Sequence, residues 1–478
     1  MGWYNGAAVS WIRIPDRVLP RPGIGELPEP VALRRMLGPS VILVGLSIGS
    51  GEFVLWPRLT AEWGFALFWA CWVGVTLQFF LNMEIERFTL ATGESAVLGF
   101  VRLSRFWAPV FLVCATLPWV WPGWATGAAT LIHWETGLPV TASAIAGLVV
   151  CGLVLSVGPV VYRTVETLQF VLVTLIFAAL VVLALLVVRA DTLAELGAGA
   201  LRFGSVPEGV HLPMLLGALA FAGAGGSVNL AQSNYIKDKG YGMGCHIGRI
   251  TSPFTGRDEP TGDVGKVFEP TEENLARWRV WWRRTNLEHF ASFYVLALLS
   301  LALFCLVAAS LLPEAGEVAP DFEFLGAEAA ALEERFGGWA RRVFLATGVA
   351  VLFSTELALL DAVARVAADL LRVGLQLYAK LEVGLSRLYF GVLWVMIGFG
   401  AMVLLAGFDQ PLTLIVLSAA LNAFVMFLYS GLLLWLNLTT FHGPLRPHPV
   451  RVVALVFSLC FFGYFSALTL ADRLGVFG

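Results

Sequence analysis

Long apolar runs, separated by short polar or basic links, recur from residue 37 to residue 472. Polar positions inside them follow no strict alternation, so they lack the two-residue period of a membrane β-barrel strand. Each run approaches or exceeds the ~20 residues a helix needs to cross the hydrocarbon of a bilayer. The pattern predicts eleven spans, at 37–58, 62–88, 106–131, 140–161, 164–188, 209–236, 286–312, 339–363, 384–407, 410–438 and 450–472. The fold class read from this is an all-α integral membrane protein.

Two runs are interrupted at their centres. The first, Leu37 to Pro57, carries Ile48-Gly49-Ser50-Gly51-Glu52 in its middle. Two glycines and a serine are weak helix formers, and a carboxylate in hydrocarbon costs at least ~2.5 kcal/mol unless it faces a polar cavity or a partner. The expectation is an unwound segment lining a cavity, because irregular backbone is tolerated at that depth only there or when buried in protein. The second, Leu212 to Tyr235, carries Gly223-Ala224-Gly225-Gly226-Ser227-Val228-Asn229. Close packing of two helices through small residues is the alternative for either run alone. Broken spans in corresponding positions of two halves mark the binding site of many secondary transporters. The interrupted runs are the first and the sixth spans, so spans one to five and six to ten would form two five-helix repeats. An odd number of spans per repeat inverts the second relative to the first.

Composition agrees with a membrane location. Of 478 residues 58% are hydrophobic and 14% are charged, against about 25% charged in soluble domains, and the mean hydropathy is +0.79. The net charge of −3 points to no partner class. Six scattered cysteines form no CxxC and no disulfide framework. The expected organisation is an N-terminal arm at 1–36, a first repeat at 37–189, an outer link at 190–208, a second repeat at 209–438 with an insert at 237–285, and a last helix with the C-terminus at 439–478. Basic links alternate with links poor in Lys and Arg. Arg102 and Arg105, Arg163, the link from Lys237 to Arg284, Arg372 to Arg387, and Arg446 with Arg451 share one side with the arm. Glu314, Glu317, Asp321, Glu323, Glu328, Glu333 and Glu334 lie on the other. The positive-inside rule then places the N-terminus in the cytoplasm and the C-terminus outside, in what is expected to be a bacterial plasma membrane. In the long link Thr271-Glu272-Glu273 reads as a helix start. The helix through ARWRVWWRR either lies at the headgroups or extends span seven. No phosphate-binding loop and no hydrolase pattern occurs, so neither ATP-driven pumping nor catalysis is expected. No cofactor and no nucleic-acid partner is expected; the partners are the lipid bilayer and a transported cation or small solute.

Gly38-Pro39 opening span one, the glycine-centred interruption, Trp63-Gly64-Phe65 and Leu67-Phe68-Trp69 opening span two, and Arg87 with Thr92-Gly93 at its end resemble the Nramp divalent-metal transporters. Asn229-Leu230 resembles the tail of that family's Met-Pro-His-Asn-Leu stretch. The resemblance implies the LeuT-type fold and transport by alternating access. The metal-binding positions depart from the pattern. Gly49-Ser50-Gly51-Glu52 stands where the family has Asp-Pro-Gly-Asn, Gly226 where it has its metal-binding Met, and Val228 where it has His.

The candidate substrate-binding residues are Gly49, Ser50, Gly51, Glu52, Gly225, Gly226, Ser227 and Asn229, with Glu52 as the candidate metal ligand. Glu52 has a structural alternative at the start of a half-helix, where the dipole favours a carboxylate. Ser227 and Asn229 have the alternative of capping. Ser354 and Thr355 resemble the hydroxyl pair with which sodium-coupled LeuT-type carriers face broken span one, and with Glu356 they are the coupling-ion candidates; ordinary helix back-bonding is their alternative. Asp361, Arg365 and Asp369, spaced by four, are expected to pair on one helix face. Glu84, Glu86 and Arg87 read as a solvated span end, with a proton exit as the minor alternative. Asn422 either lines the cavity or bonds a neighbouring helix. Trp119, Trp121 and Trp124, beside Pro118 and Pro122, mark a kink near the cavity. The histidines, His289 among them, give no clear proton relay. A carrier of an organic or anionic solute, coupled to sodium or protons, and a non-transporting membrane sensor are the rival functions.

Overall fold

The computed structural model describes residues 11–252, 264–312 and 321–473. Among these, nine helices are long and apolar enough to cross a membrane. The first, Pro39–Thr92, is a 54-residue helical run that holds spans one and two together. A bend at Gly64, with φ 57° and ψ −147°, separates them. Span six contributes no such helix because it is broken. Leu212–Ala220 is α-helical, Phe221 to Gly225 is irregular, Gly226–Ala231 is a 3-10 turn, and Gln232–Lys239 is helical again. The six cysteines are free thiols.

Span one differs in detail from its expectation. The chain does leave α-helical geometry at the glycines, but it widens into a π-helical stretch at Ile48–Leu55 instead of unwinding. The Trp56 N–H bonds the Gly51 carbonyl five residues back. A π-helical insertion keeps most backbone groups paired inside the helix, which meets the demand of the hydrocarbon.

The helix before span seven is its extension. Glu272–His289 runs through a π-helical stretch, Phe290–Val295, into Leu296–Leu311. Thr271 caps it as expected, accepting the Asn274 N–H at 3.2 Å. The acidic link after span seven contains a helix of its own, Glu323–Phe336; Glu314 and Glu317 lie outside the described residues.

The N-terminal arm is strapped onto the protein. Arg102 binds both oxygens of Glu94, each at 2.7 Å, and donates to the carbonyls of Pro15, Leu19 and Pro20. Gly23–Ile24 pairs in parallel with Lys266–Val267. Arg277 binds Glu26 at 2.8 Å, Trp281 the Pro28 carbonyl, and Arg284 the carbonyls of Pro30 and Val31. The arm, the link after span two and the link after span six are therefore knit together on one face.

Candidate functional site

The two interrupted stretches meet. A Cβ added to Gly51 would lie 1.7 Å from the Phe221 carbonyl oxygen, so only glycine allows the π-helical stretch of span one to press against the break of span six.

The π-helical stretch has an identifiable cause. In an α-helix the Gly49 N–H would bond the Gly45 carbonyl. Instead the Thr355 hydroxyl of span eight accepts the Gly49 N–H at 3.1 Å and donates to the Gly45 carbonyl at 3.0 Å. A side chain inserted into the ladder opens the helix at that point. Of the hydroxyl pair, Thr355 thus reaches span one. Ser354 does not join it: its hydroxyl donates to Gln169 Oε1 of span five at 2.6 Å, and Gln169 Nε2 returns a bond to the Ser354 carbonyl at 2.8 Å. Glu356, buried like both, faces elsewhere in the interior, with Oε2 unpaired among the described residues.

Glu52 is 0% exposed. Its carboxyl is held from within span one and from span seven. The Ser47 hydroxyl donates to Oε1 at 2.6 Å, and the Ser300 hydroxyl of span seven donates to Oε2. Among the described residues no basic side chain pairs with it. The same widened turn that holds Glu52 thus presents a carboxyl between two hydroxyls and no counter-charge. The groups of His, Cys, Asp and Glu among the described residues include no set of three placed to hold a metal ion, so a cation here would rest on one carboxyl, hydroxyls and backbone oxygens.

The span-six break is held by amides and aromatics. Gln78 of span two donates from Nε2 to the carbonyls of Ala220 and Ala222 at 2.9 and 3.2 Å, and its Oε1 accepts the Gly225 N–H at 2.9 Å. Asn229 donates to Gln78 Oε1 and to the Tyr429 hydroxyl, leaving its own Oδ1 unpaired among the described residues. Asn422 of span ten accepts the Ser227 N–H at 3.2 Å. Gly226 sits at φ 57° with Asn422 Oδ1 1.9 Å from where a Cβ would be, so its backbone angle and its neighbour both demand glycine. Ser227 caps nothing; its Oγ accepts the Trp119 indole N–H at 2.8 Å. The Trp119 ring stacks on Phe221 at 5.4 Å.

Two sequence expectations about charged groups change. Arg365 pairs with Asp361 at 2.9 Å, but its other partner is Asp238 of span six, while Asp369 binds Lys237 and Asn234, each at 2.9 Å. Glu84, Glu86 and Arg87 are not a solvated end; all three are buried, with Glu84 bidentate to Arg87 at 2.8 and 3.0 Å. Gln78, Gln169, Ser47 and Ser300 also hold the site, though no motif marks them in the sequence. Each is a polar side chain within a long apolar run, which is the signal available in the sequence.

Two solved structures of a manganese transporter from Eremococcus coleocola share the architecture. A single-residue variant gives a TM-score of 0.66 at 15% identity, covering 96% of this chain and 91% of that one. The transporter in complex with an aromatic bis-isothiourea substituted compound gives 0.65 at 14% identity with the same coverage. The fold is that of LeuT-type transporters. No family model and no curated protein sequence matches the chain.

Proposed function

We propose that the chain is a secondary active transporter, a divergent Nramp-like carrier that moves an inorganic divalent cation by alternating access. The single observation that carries this reading is Glu52: a fully buried carboxyl on a π-helical turn, met by two serine hydroxyls and by no basic side chain among the described residues. When ionised, a carboxyl in that setting calls for a cation to offset its charge. Glu52, Ser47 and Ser300 are hard oxygen donors, suited to a hard ion. The N-terminus lies in the cytoplasm and the C-terminus outside. That the chain shares its fold with a manganese transporter supports the class of cargo. The test is uptake of manganese and magnesium into proteoliposomes holding the purified protein. Uptake by the wild type that Glu52→Gln abolishes is the expected result; uptake of neither ion overturns the divalent cargo.

One observation favours a second reading. The break of span six is lined by Gln78, Asn229, Asn422, Trp119 and Tyr429, a set of amides and aromatics without a carboxylate. Such a lining suits a small organic solute, with Glu52 left to the coupling ion. A solute that shifts the melting temperature of the wild type but not of Gln78→Ala would support it.

A further inference from the structure

A second buried polar cluster lies where spans one, two, six and seven converge, apart from Glu52. Glu288 and His289, on span seven, are 4% and 0% exposed, Glu86 of span two is 2% exposed, and Ser40 of span one is 0% exposed. The Ser40 hydroxyl lies 2.7 Å from Glu288 Oε2 and 2.8 Å from His289 Nδ1. Glu86 Oε1 is 3.8 Å from the same nitrogen, Nδ1. The His289 ring is held between Phe79 and Phe293, with ring centres 5.7 and 4.7 Å away. Gln232 of span six donates to Glu86 Oε1 at 2.5 Å, and Ser292 donates to Glu288 Oε1 at 2.8 Å. Glu86 Oε2 and His289 Nε2, both buried, have no hydrogen-bond partner among the described residues.

The charged neighbours are engaged elsewhere. Lys239 of span six binds Glu166 of span five and the Leu37 carbonyl. Arg451 of span eleven binds Glu84 at 3.4 Å and Asn286, and Arg87 binds Glu84. The Tyr162 hydroxyl donates to Glu166 and the Tyr241 hydroxyl to the Met36 carbonyl. Two carboxyls and an imidazole therefore share one buried space without a paired cation.

We propose that Glu288, Ser40 and His289, with Glu86 beside them, form a buried proton-transfer relay between spans one, two and seven. A hydroxyl carries one proton, so Ser40 cannot donate to Glu288 and to His289 at once. When Ser40 donates to Glu288, His289 Nδ1 carries a proton and donates to Ser40. When Ser40 donates to His289, Glu288 carries the proton and donates to Ser40. The two states interconvert by one concerted step. The Oε2–H bond of Glu288 breaks as its proton joins Ser40 Oγ, and the former Ser40 proton forms the Nδ1–H bond of His289. Ser40 ends as it began, no electrons are exchanged, and the net result is one proton moved from carboxyl to imidazole. A neutral imidazole that accepts at Nδ1 holds its own proton on Nε2, so the product is an imidazolium beside the carboxyls of Glu288 and Glu86. Ser40 stands at the start of span one, so any tilt of span one against span seven breaks the relay. This ties proton transfer to the motion that alternating access requires, and in that respect the relay rests on the transporter reading.

The test is pH-difference infrared spectroscopy of the full-length protein in detergent, following the protonated-carboxyl and imidazole bands. In the wild type, the carboxyl and imidazole bands are expected to change together at shared midpoints, because the macroscopic titration steps of strongly coupled groups belong to the pair. Glu288→Gln should abolish the carboxyl band. Ser40→Ala should separate the two bands into midpoints roughly one pH unit or more apart, the size of a lost hydrogen bond to a charged group. Melting curves confirm that each variant is folded. Should Glu288→Gln fail to fold, wild-type protein labelled with 13C-glutamate and 13C-histidine reports the same bands. A wild type without a joint titration, or a folded Ser40→Ala that titrates as the wild type does, overturns the relay. The measurement needs no flux: intact uptake with no joint titration defeats the relay alone, and a joint titration without uptake of any cargo defeats the transporter reading alone.

Discussion

At the residue scale, Glu52 and Glu328 show what burial does to a carboxyl with different surroundings. Glu52 has two hydroxyl donors and, in the proposed function, a cation as its counter-charge. A unit charge about 4 Å away in surroundings of moderate polarity contributes about 4 kcal/mol, and an amide keeps only part of it. Glu52→Gln is therefore expected to weaken cation binding about a hundredfold or more in calorimetric titration. With Gly226 standing where the Nramp pattern has its methionine, no thioether favours softer ions, so manganese should bind within about tenfold of magnesium. Tight manganese binding that ignores Glu52→Gln would place the ligands elsewhere. Glu328 lies outside the spans, on the helix Glu323–Phe336, and is 2% exposed with Oε1 unpaired among the described residues. Burial raises its pKa from 4.5 to about 8. The folded protein thus holds a proton that the unfolded chain releases. Its contribution is favourable below pH 4.5 and is lost as pH rises toward about 8. Glu328→Gln should raise the melting temperature above pH ~8 and leave it nearly unchanged below the unperturbed value of 4.5. An equal effect at both pH values would show that the burial cost is not one of charge.

At the element scale, the breaks in the two corresponding spans were equally visible in the glycines, yet they differ in form. Span six has three glycines at positive φ, Gly223, Gly225 and Gly226, and ordinary residues cannot hold that backbone. Its break could be read from composition. Span one has Gly49 and Gly51 in helical geometry, and what opens the turn is Thr355, 306 residues away from Gly49. Nothing local to span one announces a hydroxyl arriving from span eight, so the sequence suggested unwound chain where the fold makes a π-helical turn. The same distance effect hid Glu86, Glu288 and His289. Each sits near a span end in sequence, where solvent is the ordinary expectation, and only the covering by neighbouring spans buries them. The Thr355 insertion is testable. Thr355→Val leaves the Gly49 N–H and the Gly45 carbonyl without the bonds at 3.1 and 3.0 Å. The expected loss is ~1–3 kcal/mol for each group left unsatisfied, with Thr355→Ser retaining wild-type stability. A thermal melt in detergent measures this. A Thr355→Val protein as stable as Thr355→Ser would mean that the ladder closes without cost.

At the scale of the whole molecule, the charge of the links predicts a side of the membrane and the fold says which links must share it. The arm, Arg102, Lys266, Arg277 and Arg284 are joined by direct bonds, so they cannot lie on opposite faces. That removes the freedom to invert one link alone: either the whole basic face is cytoplasmic or none of it is. The positive-inside rule chooses the first. The acidic helix Glu323–Phe336 follows span seven, whose other end carries Arg277 and Arg284, and so falls on the opposite side. The prediction needs an accessible reporter on each face. Arg34 and Glu334 are both exposed. Cys245 and Cys460 are exposed native thiols that would compete, so both are first replaced by serine. In intact cells a membrane-impermeant maleimide should then label Glu334→Cys and spare Arg34→Cys; after lysis both should react. Labelling of Arg34→Cys in intact cells would reverse the orientation. Because the arm and the links bonded to it are physically joined, it would reverse all of them together.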